Sequence, residues 1–417
     1  MSIDALKQAA HQNPQDAQIH RELGRALFSS GHHDEALRAL EYAAGLAPGD
    51  ALIHNDLGAI YNQLGRIGDA VNAFKKAIER KPDLSSANYN LGMLLAIQNR
   101  FAASLPYLEA AMRQNPSDFE IRYLYYATLS NLVPPWHFPM VHDQLRNEAY
   151  RDAIRARVTD GMSVLEIGTG TGLLAMLAVE AGAGHVTTCE DVPEIAERAR
   201  QIIARNGFQD RITVLNKNSR NLKVGTDLPE KADILISEIL GAAFLGEQVQ
   251  TSIAHARQEL LKPGAPMIPL GGATMAGIID IAGIESIVDA GTDVMGFDLS
   301  PFNDLAPVKL ELTSKLNPVL LTDAQPAYSY ELDGAIDLPA ERPIDFKVVR
   351  DGTAIGTAIW MKIRLTDDIV LENAPPHGLQ MHWPIHAYRF KEPRDVREGQ
   401  TISLLAGTSG NSVWVHD

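Results

Sequence analysis

Residues 164–174 read Val164-Leu165-Glu166-Ile167-Gly168-Thr169-Gly170-Thr171-Gly172-Leu173-Leu174. An apolar run that passes through closely spaced glycines into another apolar run predicts a buried parallel strand, a tight turn and the start of a helix. Glycines in such a turn let the backbone approach a ligand closely. This segment therefore predicts a ligand site at the carboxyl end of a strand.

Three more strand patterns follow, at residues 185–189, 212–215 and 234–236, with helical segments between them. Strands that alternate with helices predict a doubly wound sheet. The second strand ends at Glu190, the third leads into Asn218-Ser219, and the fourth ends at Ser237-Glu238. The polar residues thus come where the carboxyl edge of the sheet is expected.

The glycine turn alone fits dinucleotide-dependent enzymes as well as methyltransferases. An acidic residue placed like Glu190 can accept both ribose hydroxyls of an adenosine, although a solvated carboxylate would also suit that position. The spacing of Glu166, Gly168, Gly170 and Glu190 matches class I methyltransferases. We therefore expect S-adenosylmethionine as cofactor, with Thr169, Asn218 and Ser219 completing the set of binding residues.

A second constellation starts at the fourth strand and reads Glu238-Ile239-Leu240-Gly241-Ala242-Ala243-Phe244-Leu245-Gly246-Glu247. A guanidinium is planar, permanently charged and rich in N–H donors, so two carboxylates can hold two of its edges. The remaining nitrogen can then be aimed at an activated methyl group, a reaction that needs positioning and no metal. Two glutamates at this spacing are also commonly a solvated loop.

The N-terminal third of the chain is a repeat. Leu23-Gly24 recurs 34 residues later as Leu57-Gly58 and again as Leu91-Gly92, and alanines and prolines recur with the same period. The period and residue types resemble the tetratricopeptide repeat (TPR), in which a small residue lets two helices pack closely. We expect three full repeats over residues 16–117, preceded by a capping helix near Ile3–Gln12. Their concave surface binds a peptide or partner, or the array is only a scaffold.

Composition limits the class of protein. A formal net charge of −15 disfavours nucleic-acid binding and favours a basic partner. With one cysteine, Cys189, an internal disulfide is excluded. The sequence has no apolar run long enough for a membrane span and no signal-peptide pattern, so a cytoplasmic location is the default.

The last third changes to short alternating strands, at residues 344–349, 358–365, 401–405 and 412–415. With glycine and proline turns between them, they predict a β-barrel. Pro134-Pro135 ends any preceding helix. We therefore predict a TPR domain over 1–133, a cofactor-binding domain over 134–268 and a substrate-binding barrel over 269–417.

From residue 134 onwards the sequence resembles the protein arginine N-methyltransferase family. Glu238 and Glu247 match its double-E loop, and His382-Trp383 matches its Thr-His-Trp loop, with Met381 in place of the threonine. A further set matches the helix before the sheet: His137, Met140, Asp143, Arg146 and Tyr150. Within the family, the sequence is most similar to the TPR-bearing member and shares features with the monomethylating member.

The resemblance implies roles for these residues. Arg146 holds the cofactor carboxylate, Met140 lies near the acceptor nitrogen, and Asp143 pairs with His382. Without the family, His382 is also consistent with a barrel histidine, Asp143 with a surface charge and Met140 with a core residue.

The resemblance also implies a fold and an assembly. The fold is a class I methyltransferase with a doubly wound Rossmann-like sheet and a C-terminal β-barrel, here behind all-α TPR repeats. The family's barrel carries a dimerisation arm, for which residues 284–307 are our candidate, and a homodimer is expected.

The predicted function is transfer of a methyl group from S-adenosylmethionine to arginine in proteins, yielding monomethylarginine or symmetric dimethylarginine. Two alternatives remain open: a methyltransferase for a non-arginine or small-molecule acceptor, and an inactive TPR interaction scaffold. The protein substrate and the TPR ligand are not specified by the sequence.

Overall fold

The structure is a computed structural model that describes residues 1–246, 248–334, 338–409 and 412–417. Glu247, one of the predicted catalytic residues, lies outside the described residues. The chain divides into two compact units, Met1–Pro134 and Pro135–Asp417. Each unit has hydrophobic clusters of its own. The further boundary at residue 268 stays a prediction.

The first unit is a row of antiparallel helix pairs after a capping helix. Its helices are α1 Ile3–Gln12, α2 Ala17–Ser29, α3 His33–Leu46, α4 Ala51–Gln63, α5 Ile67–Arg80, α6 Ser85–Ile97, α7 Phe101–Gln114 and α8 Phe119–Leu132. The predicted TPR array is confirmed. Because α8 begins 34 residues after α6, it adds the first helix of a further repeat.

The repeat period has two visible causes. A Cβ atom on Gly24, Gly58 or Gly92 would lie 2.5–2.6 Å from the side chain of Leu40, Phe74 or Leu108 on the paired helix. Only glycine therefore permits this helix spacing. The second cause was not predicted from the sequence. In each repeat, a side-chain nitrogen is hydrogen-bonded to the carbonyl of a proline six residues earlier. The pairs are His20 with Pro14, His54 with Pro48 and Asn88 with Pro82.

The second unit begins with an α/β layer. Its elements are α9 His137–His142, α10 Gln144–Arg157, β1 Ser163–Ile167, α11 Leu173–Glu180, β2 His185–Glu190, α12 Pro193–Arg205, β3 Ile212–Asn216, β4 Ile234–Ser237, α13 Val249–His255 and β5 Met267–Ile268. The strands are parallel in the order β3-β2-β1-β4-β5. Strand order reverses between β1 and β4, and open α/β sheets bind ligands at the carboxyl ends of such strands.

Antiparallel strands follow: β6 Gly271–Asp280, β7 Lys309–Leu312, β8 Val319–Leu320, β9 Gln325–Glu331, β10 Glu341–Lys347, β11 Gly352–Arg364, β12 Val370–Glu372, β13 Ile385–Val396, β14 Thr401–Thr408 and β15 Val413–His416. One sheet has the order β7-β13-β11-β6-β8, with β9 on β6 and β12 on β11, and a second has β10-β14-β15. These sheets are consistent with a barrel-like domain, and the predicted fold class is confirmed. The candidate arm lies between β6 and β7 and contains the short helix α14 Glu285–Val288.

Of the helices in the described part of the chain, none combines the length and the apolar character needed to cross a bilayer.

Candidate active site

The glycine turn after β1 is hydrogen-bonded to the end of β2. The backbone nitrogens of Gly168 and Thr169 both donate to the carbonyl of Cys189 at 3.1 Å. The Thr169 hydroxyl lies 2.7 Å from that of Thr188. Gly168 has φ +89°, and a Cβ there would lie 2.8 Å from the Ile239 side chain. The turn therefore has both a conformational and a steric requirement for glycine.

Glu190 ends β2 beside this turn. Its carboxylate accepts the backbone N–H of Gly170 at 3.2 Å and that of Val192 at 3.1 Å. Next to it, Asp191 accepts a hydrogen bond from the side-chain amide of Asn218 at 3.2 Å. Predicted cofactor residues from three separate segments thus converge on one edge of the sheet, and Ser219 lies buried beside Asn218.

Glu166 lies inside β1 and is 1% exposed. Burial raises the pKa of Glu166 to about 8, against the opposing influence of the Thr188 hydroxyl and of Arg146. Both carboxylate oxygens are buried, and within the described residues the Thr188 hydroxyl and the Ala175 N–H lie near them without forming a hydrogen bond of normal geometry. A carboxyl group in this state is protonated at neutral pH and still has polar atoms to offer a ligand.

Arg146 and Glu238 form a buried ion pair. The Arg146 Nη2 atom lies 2.8 Å from a Glu238 carboxylate oxygen, and each side chain is 5% exposed. The guanidinium also lies over the ring of Tyr150, whose hydroxyl donates to the Ser237 carbonyl. The buried Nε of Arg146 has no hydrogen-bond partner among the described residues. These contacts join α10 to the carboxyl end of β4.

Asp143 and His382 form a second buried pair. One Asp143 oxygen accepts the His382 backbone N–H at 3.0 Å and lies 2.9 Å from its Nδ1, and the other caps α10 by accepting the Arg146 N–H at 3.0 Å. Burial raises the pKa of Asp143, but these hydrogen bonds outweigh it and leave the pKa below its ordinary value. The ionised Asp143 therefore favours a proton on Nδ1 of His382, which leaves Nε2 as the nitrogen able to exchange one.

The remaining predicted residues lie around this centre. The methyl group of Met140 would be 3.9 Å from a Cβ on Gly170, so Met140 borders the glycine turn. Met381, which replaces the family threonine, is buried in the main core. Sequence reasoning missed Thr274 and Tyr330, which hold the loop after Glu238. In the sequence, the only indication that this loop packs against other residues was Phe244, a large apolar side chain within it.

Comparisons with known proteins agree with this architecture. Residues 2–51 and 55–119 match the tetratricopeptide repeat family, and residues 151–280 match the family of the ribosomal protein L11 methyltransferase PrmA. The chain is 35% identical over 285 residues to the arginine N(omega)-methyltransferase of Streptomyces achromogenes subsp. streptozoticus, a match that covers 66% of this chain and 77% of that protein.

Similarity extends to animal proteins and to solved structures. The chain is 29% identical over 309 residues to protein arginine N-methyltransferase 7 of Danio rerio, covering 66% of this chain and 44% of that protein. The chain thus spans less than half of that relative. A structure described as the Trypanosoma brucei PRMT1 enzyme–prozyme heterotetrameric complex with AdoHcy aligns with a TM-score of 0.59 at 24% identity, over 67% of this chain and 89% of that one. This likeness supports the fold.

Proposed function

Because this chain belongs to the protein arginine N-methyltransferase family, we propose that it transfers a methyl group from S-adenosylmethionine to the guanidinium of arginine in proteins. The observation that carries the proposal is Glu238, a buried carboxylate at the carboxyl end of β4 that already pairs with a guanidinium, that of Arg146. The acceptor arginine presents the same chemical group.

The residues around the glycine turn fit the cofactor. The Glu190 carboxylate has capacity for ribose hydroxyls, and Asn218 and Ser219 lie on the same side. The Nε of Arg146, for which the described residues offer no hydrogen-bond partner, suits the carboxylate of the methionine part, and Glu166 has buried polar atoms near the turn. When bound, S-adenosylmethionine supplies a methyl group that its sulfonium has already activated.

Protein side chains then have to orient the acceptor and remove a proton. Glu238, together with Glu247, holds the acceptor guanidinium so that one nitrogen faces the methyl group. Methyl transfer leaves that nitrogen with a proton to lose. Asp143 keeps the Nδ1 side of His382 protonated, so the Nε2 atom of His382 accepts the proton.

The charge of the second unit suits a basic substrate. Residues 135–417 contain 38 Asp and Glu against 25 Lys and Arg, whereas residues 1–134 contain 14 against 12. Most of the net negative charge therefore belongs to the unit that contains the site, where it attracts arginine-rich segments. The TPR unit is assigned a partner or peptide on its concave face, as repeat arrays commonly have.

The product we propose is monomethylarginine, with symmetric dimethylarginine as a further product. The proposal is supported by the loop ending Leu245-Gly246-Glu247 and by the features that the sequence shares with the monomethylating member of the family. Chromatography of hydrolysed reaction products tests it. Asymmetric dimethylarginine as the main product would contradict it.

The Glu238→Gln variant tests the function itself. The change is nearly isosteric, but it removes one of the charges that orient the acceptor, and a misplacement of about 1 Å can cost ~100-fold in rate. We expect that loss in methyl transfer to an arginine peptide, whereas cofactor affinity measured by calorimetry should not fall, because Arg146 loses a partner that competes with the cofactor carboxylate. Glu247→Gln should behave similarly but less severely. A Glu238→Gln enzyme with wild-type turnover, or methylation of lysine peptides only, would overturn the proposal.

A second candidate acceptor is arginine as the free amino acid. It is favoured by the name of the Streptomyces relative, which specifies arginine without a protein. Rates measured with free arginine and with an arginine-containing peptide, at equal concentration, separate the two acceptors.

We also propose a homodimer. The segment between β6 and β7 exposes many large apolar side chains: Ile287, Val294, Met295, Phe297, Leu299, Phe302 and Leu305. A soluble monomer rarely leaves such a concentration of apolar surface uncovered, and a second copy with twofold symmetry is the commonest solution.

A further inference from the structure

We propose that Thr274 and Tyr330, on β6 and β9, are positioning residues that hold the loop after Glu238 in place for the acceptor guanidinium. The proposal rests on the function proposed above, because it takes Glu238 as a contact of the acceptor. Neither residue is close in sequence to the loop that it holds.

The loop is closed upon itself at a narrow neck. A Cβ on Gly246 would lie 2.8 Å from the Cα of Gly241, so only glycines let the two backbone segments come this close. The Phe244 N–H donates to the Gly241 carbonyl at 2.9 Å, and that of Leu245 to the Ala243 carbonyl at 2.8 Å. The loop is therefore compact and directly continues the end of β4.

Phe244, at the tip of the loop, is inserted into the antiparallel domain. Its ring is fully buried and stacks on Tyr330, with ring centroids 4.6 Å apart and planes 9° apart. On β6, a Cβ at Gly272 would lie 2.4 Å from the Phe244 ring, so a glycine there leaves the space for it. Phe244 also has φ +68°, which a bulky residue keeps only where its surroundings impose it.

Two buried hydroxyl groups hold the backbone of the loop. The Thr274 hydroxyl donates to the Ala243 carbonyl at 2.7 Å, and the Tyr330 hydroxyl lies 2.7 Å from the same Thr274 oxygen. Because the Thr274 hydrogen is used on Ala243, the Tyr330 hydroxyl is the donor in the second bond. Burial raises the pKa of Tyr330, so this hydroxyl keeps its proton at neutral pH.

These contacts place the loop relative to the antiparallel domain. The loop is held by the stacked Phe244 ring, by the space above Gly272 and by the hydrogen bonds of two hydroxyl groups, so it has little freedom to shift. Loss of these hydroxyl hydrogen bonds should therefore affect how the acceptor is oriented. The glycine turn and Glu190 are held by other bonds, so cofactor binding should be preserved.

Thr274→Ala tests the proposal, with Thr357→Ala as its matched control. Thr357, on β11, is also fully buried and donates its hydroxyl to a backbone carbonyl, that of Val415 at 2.8 Å. We expect Thr274→Ala to lower kcat on an arginine peptide by ~10-fold or more, since small misplacements reduce rates steeply. Affinity for S-adenosylhomocysteine should stay at the wild-type value. Thr357→Ala should lose similar stability but keep its kcat.

Two further variants separate positioning from folding. Thr274→Ser keeps the hydroxyl and should restore kcat, and Tyr330→Phe keeps the ring stack and should cause an intermediate loss. Equal kcat values for Thr274→Ala and wild type would overturn the positioning role, and so would equal losses of kcat in Thr274→Ala and Thr357→Ala. Neither result would contradict the proposed function. A wild-type enzyme that neither binds nor methylates arginine would overturn both.

Discussion

At the scale of single residues, Arg146 and Glu238 form an ion pair that the sequence did not predict. The resemblance assigned Arg146 to the cofactor carboxylate and Glu238 to the acceptor guanidinium. Their ion pair is almost completely buried. Removing one partner of a buried pair leaves an uncompensated charge that costs about 3–5 kcal/mol. We therefore propose that the Arg146 side chain holds Glu238 in the absence of the cofactor carboxylate and contacts both groups in its presence.

Glu190 provides a test of the cofactor site. Glu190→Ala removes the carboxylate that we assign to the ribose, and hydrogen bonds to a charged group contribute about 1.5–3 kcal/mol. We expect calorimetry to show cofactor affinity reduced by ~10- to 100-fold. The exposed Glu180→Ala variant, on α11, is the control and should bind normally. Equal affinity for Glu190→Ala and wild type would contradict the placement of the ribose.

Glu166 provides a prediction on pH. Its pKa is about 8 in the folded protein against an ordinary 4.5, so the folded state binds a proton more tightly than the unfolded state. The contribution of Glu166 to the free energy of unfolding therefore falls as pH rises from its ordinary pKa to its raised pKa, by up to about 1.4 kcal/mol per pH unit. Denaturant titrations should show that Glu166→Gln loses less stability than wild type between pH 5 and pH 8. Parallel pH profiles for the two proteins would contradict the raised pKa.

At the scale of elements, the TPR helices depend on a few small residues. Gly58 faces the Phe74 ring at a distance that leaves no room for a methyl group. Gly58→Ala should therefore force α4 and α5 apart and destabilise the unit by about 1–3 kcal/mol. Gly45→Ala, on α3, meets no atom within 4 Å and should be neutral or stabilising by up to about 1 kcal/mol. Thermal unfolding of both variants measures the difference, and equal effects would contradict the close-packing argument.

The element boundaries show where local patterns suffice. The capping helix α1 spans the residues that its pattern predicted, and each predicted strand of the parallel sheet forms within one or two residues of the expected ends. Helix α8 was not predicted, because its aromatic residues depart from the pattern of the earlier repeats. Tyr126, for example, stands where those repeats have glycine. Its start still follows the 34-residue period, with Asp118 as the N-cap like Asp16 and Asp50.

At the scale of the whole molecule, the exposed apolar arm makes the proposed dimer testable. Changing both Met295 and Phe302 to Asp places charges where side chains are 94% and 66% exposed, so folding should be unaffected. Sedimentation should show a wild-type dimer and a monomeric double variant. Phe119→Asp, at an aromatic position in the other unit that is 76% exposed, should remain a dimer. A monomeric wild-type chain would exclude the proposal.

The sequence by itself determined the repeat array and the parallel sheet, and it predicted the residues of the candidate site. The repeat period, the glycine turn and the strand-end carboxylates are local patterns, in which each residue's environment depends mainly on its near neighbours. The family resemblance added the predicted roles of Arg146, Asp143 and His382, which stay predictions.

The pairing of Asp143 with His382, 239 residues apart, was implied by the family resemblance, but only the tertiary structure decided which other distant groups meet. Arg146 and Glu238 are 92 residues apart, and Thr274 is 31 residues from the loop carbonyl that it holds. No period or motif reports these two contacts, because they follow from strand order, from the contacts of α10 side chains with the carboxyl end of β4 and from the packing of Phe244 against β6 and β9. Buried pairs of this kind form only when packing removes water from both partners, and that condition belongs to the folded chain as a whole.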